Sequence, residues 1–238
     1  MFCGCCDKIK YIYVRRDLMD ILRPAWMNSD MQKAMEFISK CTSDRQLCRA
    51  AAESPYLEVR VIAAERITSP DALVKAAGGT SEPVILKKLS ERTSDDAVRG
   101  RMVCATTLEG AVTDEIYSSI KDEKVLYDIT CAGKYLSSAP ERISDRELLS
   151  SLARILLALD TEEAYSAGAK CAEKSGERDT IYRYAMKADS LERWYVCREA
   201  FTELLKDPGY NRELSVHLRQ LEIRKARENI EMAVGKNA

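Results

Sequence analysis

The 238-residue chain is expected to be all-α: an α–α superhelix of about ten to twelve helices, a right-handed solenoid of short helical hairpins. Three observations predict this. One unit is written twice, as TSDRQLCRAAAESPYLEVRVIAAERI from Thr42 to Ile67 and TSPDALVKAAGGTSEPVILKKLSERT from Thr68 to Thr93. Leu47 and Leu73, Ala50-Ala51 and Ala76-Ala77, and Glu65-Arg66 and Glu91-Arg92 all stand 26 residues apart. Apolar residues recur at helical spacing through both copies. Only 10 Gly and 6 Pro occur, too few for a chain of many β-turns. A hairpin this short cannot bury its apolar faces alone, so stacked neighbours must share one core.

The elements follow in order. Residues 1–7, MFCGCCD, form a short irregular lead. Tyr11, Val14, Leu18 and Ile21 recur at helical spacing and predict a helix over 11–22, closed by Pro24. Asn28-Ser29-Asp30 opens a second helix, with Ser29 and Gln32 as a capping box, running to about Lys40. Residues 1–41 are therefore N-terminal capping helices. Residues 42–158 are repeats of about 25 residues. Ser43-Asp44-Arg45-Gln46 and Ser144-Asp145-Arg146-Glu147 read as capping boxes, and Ser69-Pro70-Asp71 places Pro at the first helical position. A first helix with a Leu and Ala face leads to a break, Ser54-Pro55 in one copy and Gly78-Gly79-Thr80-Ser81 in the other. A second helix then closes on Glu-Arg. Ile120 lies 53 residues after Ile67, and Glu141-Arg142-Ile143 lies 76 after Glu65-Arg66-Ile67, so the rhythm continues through a degenerate unit at 94–120. Residues 159–238 are degenerate repeats with a C-terminal capping helix. Helices are expected near 145–158, 162–173, 178–187, 190–205 and 211–232, with Asp207-Pro208-Gly209 as a turn. The predicted core is Leu47, Ala50, Ala51, Val59, Ile62, Ala63, Leu73, Ala76, Ile85 and Leu89.

Composition narrows the function classes. Lys and Arg total 37 against 38 Asp and Glu, so no global field draws the chain to nucleic acid or an anionic membrane. Nine Cys are scattered along the chain, which suits a reducing, cytoplasmic setting with thiols as small buried hydrophobes. Lys8 and Lys10 interrupt the N-terminal apolar stretch, so no signal peptide is expected. Neither a phosphate-binding glycine loop nor a dinucleotide fingerprint occurs.

The phrases Glu58-Val59-Arg60-Val61-Ile62-Ala63-Ala64 and Asp71-Ala72-Leu73-Val74-Lys75-Ala76-Ala77 resemble the helical hairpins of HEAT-like, armadillo-type repeat proteins. The resemblance covers 42–158. It implies a concave wall, lined by second helices, that binds another macromolecule. It also implies an alternative, since small HEAT-like DNA glycosylases hold damaged DNA in a basic groove.

Candidate binding residues fall in two places. Tyr56, Arg60, Lys87 and Lys88 lie on second helices and are expected to face a protein or peptide. In the C-terminal part Tyr184, Trp194 and Arg198 belong to an aromatic and basic cluster that either grips a partner or fills a larger core. In the DNA-binding alternative, Trp194 lines the groove and Asp179 or Asp189 assists catalysis. Cys3, Cys5 and Cys6 have three readings: a zinc site completed by Cys41 or Cys48, an acylated anchor beside Lys8, Lys10, Arg15 and Arg16, or a frayed terminus. His217, the single histidine, is expected to be a solvated helix residue. Arg224–Glu228 and Arg227–Glu231 are expected as ion pairs one helical turn apart. A non-catalytic scaffold with a protein or peptide partner and no cofactor is the favoured expectation.

Overall fold

A computed structural model describes residues 24–159 and 161–235. The N-terminal helix expected at 11–22 and the cysteines at 3, 5 and 6 lie outside these residues. The described residues are helical, with no strand among them. They divide into two compact units, the first ending at Ile120 and the second beginning at Lys121.

The first unit opens with a 3-10 turn at Ala25–Met27 and continues through α1 (Met31–Lys40), α2 (Asp44–Glu53), α3 (Leu57–Arg66), α4 (Pro70–Gly79), α5 (Pro83–Glu91), α6 (Asp96–Ala105) and α7 (Ala111–Ser119). First helices α2, α4 and α6 pack side by side as one layer, and α1, α3, α5 and α7 form the other. Nine of the ten predicted core residues are buried. Ile62 is half-buried instead, and the neighbouring Ala64 takes the inward place. Alanine at 50, 51, 63, 64, 76 and 77 is fully buried, which lets the helices approach closely. Gly78-Gly79 is not the hairpin break; it is the last turn of α4, and the break begins at Thr80. A Cβ on Gly78 would lie 3.2 Å from the Ala105 carbonyl oxygen, so the glycine admits α6.

Helices of nine or ten residues are mostly ends, and each end leaves four backbone groups without a helical partner. Side chains spaced by one repeat supply many of them. Ser54, Thr80 and Thr106 stand 26 residues apart at the breaks between first and second helices, and all three are buried. Each hydroxyl accepts the backbone N–H two residues on, from Tyr56 at 3.4 Å, Glu82 at 3.2 Å and Leu108 at 3.1 Å. Asp30, rather than Ser29, caps α1, accepting from Gln32 and Lys33 at 2.9 and 3.4 Å. Ser43 makes no side-chain cap. Asp44 instead reaches the next unit and accepts from Thr68 N–H at 3.1 Å, Thr68 Oγ1 at 3.1 Å and Ser69 N–H at 2.7 Å.

The second unit runs through α8 (Glu123–Cys131), one-turn α9 (Ala139–Arg142), α10 (Arg146–Leu157), α11 (Glu162–Ser175), α12 (Arg178–Lys187), one-turn α13 (Leu191–Trp194), a 3-10 turn at Tyr195–Cys197, α14 (Arg198–Leu205) and α15 (Pro208–Gly235). These short pieces raise the helix number above that expected. The helix expected at 190–205 breaks at Cys197, whose backbone leaves the helical region at φ −124° and ψ 54°. Asp207-Pro208-Gly209 is the start of α15, with the Asp207 carboxylate accepting Gly209 N–H at 2.9 Å. Glu123 repeats the device of Asp44: its carboxylate accepts Ser144 N–H at 3.0 Å and Asp145 N–H at 2.9 Å. The cap of α10 is Asp145, not Ser144.

α10 and α11 make the most extensive helix–helix contact, and Gly168 lies in it. A Cβ there would fall 1.9 Å from Tyr184 Oη and 2.9 Å from Leu156 Cβ. Glycine leaves the Tyr184 hydroxyl room to donate to the Ala153 carbonyl at 2.6 Å, while Tyr165 donates to the Tyr184 carbonyl at 2.8 Å. Burial pushes both phenols far above their ordinary range.

Two predictions follow from this packing. Gly168→Ala should lower unfolding free energy by about 1–3 kcal/mol through overpacking, measured by urea denaturation. Tyr184→Phe should then cost less in the Gly168→Ala background than in the wild type, because it removes the clashing oxygen; equal costs in both would refute the contact. The second concerns pH. Burial alone would raise the Asp44 carboxyl, but the bonds from Thr68 and Ser69 together outweigh it and hold it below its ordinary range. Glu123 is lowered by the bonds from Ser144 and Asp145. A lowered folded-state pKa means the unfolded chain takes up protons first, so this stability is intact above about pH 5 and lost as pH falls. The urea midpoint should be level from about pH 7 to 5 and drop below that, with a shallower drop in Asp44→Asn. A midpoint that holds down to about pH 3 rules this out.

Candidate functional site

The second-helix layer of the first unit carries four expected site residues, and the structure uses each of them internally. Arg60 is 13% exposed at its side chain. Its Nε donates to the Ala51 carbonyl at 3.0 Å and a terminal nitrogen donates to Thr80 Oγ1 at 3.1 Å. Its other terminal nitrogen lies 3.7 Å from Glu82. One guanidinium thus satisfies the end of α2 and ties α3 to the start of α5. Tyr56 donates its hydroxyl to the Ser29 carbonyl at 2.7 Å, linking the start of α3 to the start of α1. Lys87 pairs with Glu115 at 3.0 Å across to α7. Lys88 pairs with Glu65 at 3.6 Å and Glu91 at 3.1 Å. Cations and acids therefore alternate along this layer.

What the layer leaves over is apolar. Met31, Leu57 and Val84 are 37%, 45% and 52% exposed. They occupy the first or second position of α1, α3 and α5, and half-buried Val112 holds the second position of α7. The Tyr56–Ser29 and Arg60–Glu82 links hold these helix starts beside one another. The first turn of a helix favours acids, which complement the dipole and take orphan N–H groups. An apolar side chain there serves neither need, and four successive second helices carry one. Glu58, next to Leu57, is exposed, and Asp30 and Glu82 flank Met31 and Val84. The row is an apolar edge with an acidic border.

The expected C-terminal cluster is divided. Tyr184 and Trp194 are core residues, 0% and 3% exposed, so neither ring has a face for a partner. Trp194 packs on Phe201 at 5.2 Å. Arg198 is exposed, with its guanidinium 5.6 Å from the Tyr195 ring. Asp179 accepts the Tyr210 hydroxyl at 2.5 Å, and Asp189 pairs with Arg193 at 3.4 Å. His217 is half-buried rather than fully solvated, and its Nε2 lies 2.8 Å from the Ala188 carbonyl. A carbonyl only accepts, so this nitrogen carries the proton. The ring centroid is 6.0 Å from that of Trp194.

No group of His, Cys, Asp and Glu among the described residues is arranged to hold a metal ion. Cys41 and Cys48 are buried, and Cys41 Sγ lies 3.3 Å from the Gln46 side-chain oxygen. Burial raises the Cys48 thiol and pushes Cys171 up to about 12, which suppresses the thiolate needed for nucleophilic attack. An open cavity of about 350 Å³ in the second unit is lined in part by Arg146, Ser150, Arg154 and Glu177. Ser150, Thr180 and Arg154 all bond Glu177 and hold its carboxyl below the ordinary range. This network joins α10 to α12.

No protein-family model, no curated protein and no solved structure matches the chain. Its fold defines a class all the same: an all-α, helical repeat-like array of short helices stacked on their neighbours.

Arg60→Leu should separate tie from charge. Losing the guanidinium leaves the Ala51 carbonyl and Thr80 short of partners and should lower stability by about 1.5–3 kcal/mol. Lys87→Ala breaks an exposed pair and should cost less than about 1 kcal/mol. Equal effects in thermal unfolding would remove Arg60 from its role as a tie.

Proposed function

We propose that this chain is a non-catalytic scaffold of the HEAT-like, armadillo-type kind, acting in the cytoplasm. Its row of Met31, Leu57, Val84 and Val112 receives an extended segment of a protein partner. The observation that carries the reading is the exposed apolar residue at the start of successive second helices.

Spacing suggests the form of the partner. Packed helices stand about 8–10 Å apart. A polyproline II segment advances about 3.1 Å per residue, so every third residue falls on one face at about 9 Å. Such a segment places one apolar side chain over each helix start without compressing its backbone. The acidic border of Asp30, Glu58 and Glu82 favours Lys or Arg in the intervening positions. A phosphate backbone fits less well. Arg60, Lys87 and Lys88 are paired with acids, and duplex binding relies on cations that displace counterions.

The test uses synthetic peptides with Leu or Val at every third position and Lys or Arg between, titrated against the full chain. The wild type should bind them, and Leu57→Asp with Val84→Asp should weaken binding by about tenfold or more, since tenfold is about 1.4 kcal/mol. Aspartate suits the first turn of a helix, so thermal unfolding should be unchanged. Peptides that fail to bind, or that bind both proteins equally, would sink the proposal.

A further inference from the structure

The C-terminal helix α15 spans 28 residues, Pro208–Gly235, far longer than the others. Leu214 and Leu221 are buried, and with His217 they seat its first half on the second unit. Arg224 donates to the Asp189 carbonyl at 2.7 Å, and Lys225 pairs with Glu192 at 2.9 Å. From Ala226 to Val234 every side chain is exposed, a length of about 13 Å at 1.5 Å per residue.

The face opposite Leu214 and Leu221 is apolar at a regular step. Val216, Ile223 and Ile230 are 55%, 47% and 63% exposed and stand seven residues apart. In heptad terms they are a positions, Arg219, Ala226 and Ala233 are d positions, and Leu214 and Leu221 are f positions. The f positions point away from a coiled-coil seam, so the buried face and the exposed stripe lie on opposite sides of one helix. Arg219 interrupts the first d position, which concentrates the seam on the protruding half.

The charges beside the stripe point to the occupant. Glu222 lies at g and Arg227 at e, five residues later, which is the g-to-e′ pairing of a parallel two-stranded coil. The expected Arg227–Glu231 pair does not form, and neither does Arg224–Glu228: Arg224, Lys225 and Glu192 are committed to the helix's own unit. Glu222 and Arg227 are both exposed and make no ion pair among the described residues. Two copies of this helix would satisfy each other twice, Glu222 to the partner's Arg227 and the reverse. An antiparallel partner would bring e to e and g to g, and would leave Glu222 and Arg227 without each other.

We propose that the chain is a parallel homodimer joined by α15 from Val216 to Val234, an isologous contact separate from the peptide row of the first unit. The full chain should run as a dimer in size-exclusion chromatography with light scattering at micromolar concentration. Ile223→Asp with Ile230→Asp should give a monomer whose thermal unfolding is unchanged. Glu222→Arg and Arg227→Glu should each weaken dimerisation about tenfold in sedimentation equilibrium, and the double variant should restore it. A monomeric wild type, a dimer indifferent to the isoleucine changes, or a double variant no better than the singles would each overturn the proposal.

Discussion

Helix ends dominate this molecule. A helix of ten residues has four orphan N–H groups at one end and four orphan carbonyls at the other, so about two-fifths of its backbone polar groups need outside partners. Burying such helices in a shared core is feasible only when those partners come with the packing. Here many of them arrive from one repeat away. Asp44 serves the chain at Thr68 and Ser69, Glu123 serves it at Ser144 and Asp145, and Arg60 joins Ala51 to Thr80. The hydroxyls at 54, 80 and 106 close each break locally. The 26-residue period is therefore polar as well as apolar: each repeat carries both the greasy face and the caps that its neighbour lacks.

That dependence explains which parts of the fold were legible. Leu and Ala at 26-residue spacing mark a core face directly, and the helices from Met31 to Ser119 fall where the repeat puts them. Ser54, Thr80 and Thr106 carry the same period in plain view, but small hydroxyls are common enough that their recurrence draws no notice beside the Leu and Ala pattern. Caps are less legible because Ser29 and Asp30, or Ser144 and Asp145, are adjacent residues of equal capping power. The backbone then selects the aspartate in both cases. Tyr184 and Trp194 are ambiguous for another reason. An aromatic ring among arginines suits a groove and a core equally, and the close approach permitted by Gly168, which draws Tyr184 inward, appears only once α10 and α11 are packed.

The candidate site was less legible because its parts drift out of register. Met31, Leu57, Val84 and Val112 are separated by 26, 27 and 28 residues, so aligning the two clear copies sets Leu57 against Pro83 and hides the row. Position within a helix reveals it: all four occupy first or second places. The charged residues that seemed suited to a partner, Arg60, Lys87 and Lys88, are the ones a stack of short helices most needs for itself. Long cationic side chains can reach across one helix spacing, and a layer of parallel helices offers acids at that distance.

The same reasoning distinguishes surfaces that a solenoid requires from surfaces that it does not. Tyr56, Arg60, Lys87 and Lys88 on the second-helix layer each satisfy an end or a neighbour. An apolar side chain in an exposed first turn satisfies nothing, and the hydration cost of that surface persists in the isolated chain. The stripe on α15 is comparable. Its first half is held by buried leucines, yet the helix continues beyond Lys225 with an apolar face, and Glu222 and Arg227 pair with no other described residue. A second helix lying against that extension would cover its apolar face. In both places the stack itself leaves unexplained what a partner would explain, and the polar surroundings restrict which partner it is.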